Sequence, residues 1–110
     1  MGGANETTQV LSGVLEAAVY VDDLDRADAF YGGILGLDEI GRQDGRHIFF
    51  RCGATIVLVF RAAETRKQAP PGALPIPAHG ATGAGHLCFA VDGPLLDGWR
   101  KRLEDAGVGI

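Results

Sequence analysis

Glu16 and His86 are the two residues whose types and settings most suggest chemistry. Each stands in a short run of alternating, mostly apolar sequence, VLEAAVYV at 14–21 and GHLCFAV at 85–91. A carboxylate in such a run is costly unless it ligates, pairs or meets water. One carboxylate and one imidazole make half of a first shell for Fe, Mn, Zn or Ni, so two ligands are too few. Enclosed in a dry cup, Glu16 would become a stronger proton acceptor, suited to abstraction beside a carbonyl. The alternatives are a salt-bridged or solvent-open Glu16, and a His86 that hydrogen-bonds a ligand or packs without metal.

Other candidates share the faces of these two. By alternation Tyr20 lies with Glu16, and Cys88 lies with His86. In 46–52, His47, Phe49 and Arg51 fall on one face, where an aromatic ring and a guanidinium could hold an anionic, planar molecule. Exposed strand charges are the plainer reading of Arg51. Cys88 reads otherwise as a small buried thiol. His79 sits among prolines and glycines and is expected to be solvent-exposed. No glycine-rich phosphate loop and no Ser/His/Asp set stands out.

The elements that must position these residues follow from pattern. Residues 14–21 alternate as a strand. Asp23 is the expected N-cap of a helix whose apolar stripe is Ala27, Phe30, Tyr31, Ile34 and Leu35, and Gly36 ends it with positive φ. Three strands are expected at 37–42, 46–52 and 54–60, with Asp44-Gly45 turning the first pair and Gly53 the second. Residues 61–83 hold four of the five prolines and read as a linker. A strand at 85–91 follows, then a helix opened by Gly93-Pro94, carrying Leu95, Leu96, Trp99 and Leu103, and stopped by Gly107.

Composition narrows the classes. The 110 residues are 46% apolar, enough for one core, and 14 acidic against 10 basic side chains give a net charge of −4. With no basic cluster, neither nucleic acid nor a membrane surface is an expected partner. Two cysteines, far apart in sequence, fit a reduced, cytoplasmic chain better than a disulfide framework. No long apolar run or leader pattern opens the chain.

The sequence also repeats itself. Superposing Glu16 on His86 puts Val21 on Val91 and Asp22 on Asp92, and the helix-ending Gly36 falls one position short of Gly107. The run VLEAAVYVDDLDRADAFYGGILGL at 14–37 resembles the first motif of the vicinal oxygen chelate superfamily, and HLCFAV at 86–91 with 103–108 resembles the opening of the second. That superfamily includes glyoxalase I, bleomycin-resistance proteins, fosfomycin-resistance enzymes, methylmalonyl-CoA epimerase and extradiol dioxygenases.

The resemblance implies an α+β fold of paired βαβββ modules forming an open, curved cup. Its division here would be a flexible tail at 1–13, a first module at 14–60, a linker at 61–83 and a second module at 84–110. After Gly36 the first module uses 37–60 for three strands; after Gly107 only 108–110 remain. The second module is therefore expected to stop after its helix, as a piece of a longer protein or one completed by another molecule. The resemblance further implies a divalent metal held by Glu16 and His86, with Glu16 as ligand or base. Tyr20, His47, Phe49, Arg51 and Cys88 would contact the substrate. The reaction would be that of a lyase, isomerase or dioxygenase, in a homodimer with a small-molecule ligand. The rival expectation is a metal-free sequestering protein of the bleomycin-resistance type, or an inactive, truncated domain.

Overall fold

A computed structural model describes residues 9–68, 70–73 and 76–110; most of the expected tail, 1–8, lies outside them. Strand β1 (Glu16–Val21) leads into helix α1 (Leu24–Asp28), which continues as a π-helical turn at Ala29–Ile34. Strands β2 (Asp38–Gln43), β3 (His47–Cys52) and β4 (Thr55–Arg61) complete a βαβββ module. The four strands form one sheet in the order β1-β4-β3-β2, with β1 parallel to β4 and the other pairs antiparallel.

Local chemistry accounts for the element ends. The Asp23 carboxylate accepts from the Arg26 N–H at 3.1 Å, satisfying one of the free donors that open α1. Gly36 closes the helical segment at φ 72°. The β2–β3 loop has three residues, 44–46, between the paired Gln43 and His47. Only Gly45 takes positive φ there (77°), so the expected two-residue Asp-Gly turn gives way to a longer loop that spares Asp44 that strain. Ile40 is the extra residue of a bulge in β2, an edge strand. Replacing Asp23 with alanine should cost about 1 kcal/mol in urea denaturation, while asparagine should retain most of it.

The core lies between α1 and one face of the sheet. Ala27, Ile48, Phe50, Val57 and Val59 are buried, with Val19, Val21, Leu24, Tyr31 and Leu37 packed around them. A Cβ on Gly32 would stand 3.3 Å from the Phe50 ring, so a glycine lets the π-helical backbone approach that ring closely.

Residues 61–83 are not uniformly irregular. A short helix, α2 (Ala62–Thr65), buries Ala62 and Thr65 at the end of β4. The chain then returns, with the His79 N–H donating to the Thr65 carbonyl at 2.9 Å.

The expected strand at 85–91 does not form: the run pairs with nothing among the described residues, and all seven residues are exposed. In the first module β1 is held by β4 of its own module, and none of the described residues takes that part for 85–91. Alternation alone does not make a strand without a ladder. The second helix forms where expected, as a 3₁₀ turn at Gly93–Leu95 and α3 (Leu96–Asp105), and Gly107 ends it at φ 80°.

Candidate functional site

Strand register places the first-module candidates together. Glu16 and Arg51 flank Ile56, Ala18 and Phe49 flank Leu58, and Tyr20 and His47 flank Phe60. These three rows form the face opposite the core, so the pair Glu16 and Tyr20 and the trio His47, Phe49 and Arg51, each grouped by alternation within its own strand, share one surface through their pairing with β4.

Phe60 is its hub, only 7% exposed. Its ring centroid lies 5.9 Å from Tyr20, 5.9 Å from His47, 5.6 Å from Phe49 and 4.6 Å from His79. His47 and Phe49 stack nearly parallel at 4.2 Å, a flat platform beside the hub. Alternation gave no sign of Phe60, because both faces of TIVLVFR are apolar.

His79 corrects the expectation of a solvent-exposed side chain. It is half-buried, its Nδ1 lies 2.8 Å from the Tyr20 hydroxyl, and its ring meets Phe60 edge-on. Thr65, reached through the backbone bond of residue 79, fixes that position. Among prolines and glycines no period announces such a contact.

Burial and the neighbouring Arg46 cation, in that order, hold the His47 pKa below its usual 6.5. The unfolded chain therefore takes up a proton at His47 before the folded one does. The module's stability is unaffected by this residue above 6.5 and falls as pH drops below it. A His47→Gln variant should flatten that part of a stability-against-pH profile. Glu39 and Glu64, held below 4.5 chiefly by hydrogen bonds from Arg42 and Lys67, titrate in a separate, more acid window.

The second-half candidates are placed differently. His86 is exposed and lines a cavity of about 470 Å³ that also touches Ala18, Tyr20 and Tyr31. Cys88 is not among the described residues that line that cavity; it is exposed rather than a buried thiol, since no sheet among the described residues covers its segment. Glu16 is exposed as well, so no dry cup encloses it among the described residues. No group of three or more His, Cys, Asp or Glu among the described residues could hold a metal ion. Glu16 and His86 are donors of suitable chemistry, but they do not compose a closed metal site in these residues.

A βαβββ module with its helix on one face and a polar-aromatic surface on the other defines a glyoxalase-type protein. The family model for the Glyoxalase/Bleomycin resistance protein/Dioxygenase superfamily matches residues 13–110, and the chain belongs to that superfamily. Among solved structures, lactoylglutathione lyase from Agrobacterium tumefaciens is 39% identical with a TM-score of 0.81, over 90% of this chain and 73% of that one. A glyoxalase/dioxygenase from Nostoc punctiforme is 28% identical at a TM-score of 0.63, over 90% and 73% of the two chains. The fosfomycin resistance protein FosX from Listeria monocytogenes shares the fold at 18% identity and a TM-score of 0.62, over 91% and 69%. No curated protein sequence matches the chain significantly. Among the described residues, no helix is long and apolar enough to cross a membrane.

Proposed function

We propose that the face formed by Glu16, Tyr20, His47, Phe49 and Arg51 binds a small, oxygenated organic molecule. The observation that carries this reading is the register itself, which sets a hydroxyl, an imidazole, an aromatic ring, a guanidinium and a carboxylate on three adjacent rows around Phe60. The His47–Phe49 platform would take a planar group, Tyr20 would hydrogen-bond an oxygen, and Arg51 would meet negative charge. His79 would hold the Tyr20 hydroxyl in place.

Lactoylglutathione, named by the 39% identical relative, is the compound to try first. Isotope-edited spectra recorded during its addition should shift resonances of Tyr20, His47, Phe49 and Arg51. Shifts confined to other parts of the chain, or none at millimolar ligand, overturn the reading.

A second reading, lyase, isomerase or dioxygenase chemistry with a divalent ion, is favoured by that same identity. FosX was solved in complex with Mn(II), which suits an oxygenated ligand on this fold. Glu16 and His86 are the donors this chain would contribute, and the metal would act as a Lewis acid toward bound oxygens. Elemental analysis of protein purified without a metal-affinity step should then find metal that Glu16→Gln and His86→Ala each reduce. Occupancy under about a tenth of an equivalent, with no gain on adding Mn²⁺, Fe²⁺ or Zn²⁺, would remove this reading and leave the metal-free, sequestering one.

The proposal includes a homodimer in a reducing, cytoplasmic setting. The outer edge of β1 and the exposed apolar residues Leu87, Phe89 and Val91 are surfaces a second copy could cover, and both cysteines are free thiols. A monomer mass by light scattering at micromolar concentration would count against the dimer.

A further inference from the structure

A cavity of about 610 Å³ lies between the β2–β3 loop, α2 and the returning chain, and its wall includes Arg46, His47, Glu64, Lys67, Ile76 and Pro77. It is separate from the cavity that His86 lines, and its charges do not balance. Glu64 already receives Lys67 at 2.9 Å and Arg61 at 3.1 Å. Arg46, half-buried, meets no carboxylate among the described residues.

Arg46 is nonetheless held in place. Its Nη1 lies 2.7 Å from His47 Nδ1, and its guanidinium carbon lies 5.6 Å from the Phe60 centroid. A guanidinium only donates, so His47 Nδ1 accepts and the ring proton sits on Nε2 of a neutral imidazole. One guanidinium nitrogen is thereby engaged, and among the described residues the other donors meet no hydrogen-bond partner. A half-buried cation without a counter-charge is poised for an anion, and the fixed fork suits a planar, bidentate one. Ile76 and Pro77 supply apolar wall beside it.

We infer that this cavity binds small organic carboxylates, with the carboxylate on Arg46 and an apolar body against Ile76 and Pro77. The inference goes beyond the reading of the sheet face that carries Glu16, Tyr20, His47, Phe49 and Arg51, and it needs neither a metal nor turnover.

Hexanoate and its neutral isostere hexanamide are the probes, followed by calorimetry and by the His47 ring resonances. Hexanoate should bind at least about tenfold more tightly than hexanamide, the difference a charge-assisted pair supplies. Its charge should also offset Arg46 and raise the His47 pKa toward the ordinary value. Arg46→Gln should lose the preference for the acid, and Arg46→Lys should keep part of it. Equal affinity for acid and amide in the unaltered protein overturns the inference, and that comparison does not depend on any variant folding. Undiminished hexanoate binding by a folded Arg46→Gln overturns it too. Inorganic phosphate displacing hexanoate at equal concentration would show a site for any oxyanion and overturn the carboxylate assignment.

Discussion

Phe50→Ala is expected to lower the unfolding free energy by about 3–5 kcal/mol, the range for deleting a fully buried aromatic ring. Phe50 is 0% exposed, lies beneath the π-helical turn and has Tyr31 tilted against it at 6.1 Å. The core around it consists of Ala27, Ile48, Val57 and Val59, so few side chains can move into the space left behind. The close approach of Gly32 would also lose its partner, leaving the helical backbone above a void. Domains are typically stable by only about 5–15 kcal/mol, so a large part of the population would be unfolded under mild conditions. Urea denaturation should show a lower midpoint with unchanged slope. A loss below about 1 kcal/mol would mean that the α1–sheet interface closes over the gap, contrary to the packing described.

Phe60→Ala should act on stability and binding together. Phe60 is 7% exposed, and removing its ring deletes a buried aromatic at a cost of about 3 kcal/mol. It also removes the common neighbour of Tyr20, His47, Phe49 and His79. Each lost aromatic contact is worth about 0.5–1.5 kcal/mol beyond area, so the platform should lose its fixed geometry. Phe60→Leu separates the two effects, because it keeps apolar volume while removing the ring. It should retain most of the stability yet lose the lactoylglutathione-induced shifts at Tyr20 and His47. Intact shifts in Phe60→Leu would show that the hub packs the fold without shaping the face.

The first module was legible because its signals are local. Asp23, Gly36, Gly45 and Gly53 punctuate the chain by backbone chemistry, and the three later strands lie within one residue of their expected bounds. Period-two alternation also grouped Glu16 with Tyr20 on one strand and His47, Phe49 and Arg51 on another, and pairing of both strands with β4 sets the two groups on one face. What escaped was tertiary. Phe60 was hidden in a strand apolar on both sides, and His79 in a segment without period. The run 85–91 has the composition of a strand, but pairing is a property of a neighbour, and none of the described residues provides one. Cys88 shares that fate. The pattern therefore grouped side chains within each strand and left Phe60 and His79 to the packing.

The single tryptophan, Trp99, lies on α3 with Arg102 over its ring at 5.1 Å, whereas the two tyrosines, Tyr20 and Tyr31, belong to the first module. The two halves of the chain thus carry separate optical labels without any chemical tagging. Excitation at the red edge sees only α3, so a blue shift in emission would time its docking onto another surface. Tyrosine emission would follow the β1–α1 region independently. A stopped-flow trace at two wavelengths could then tell whether the second half settles before, with or after ligand reaches the sheet.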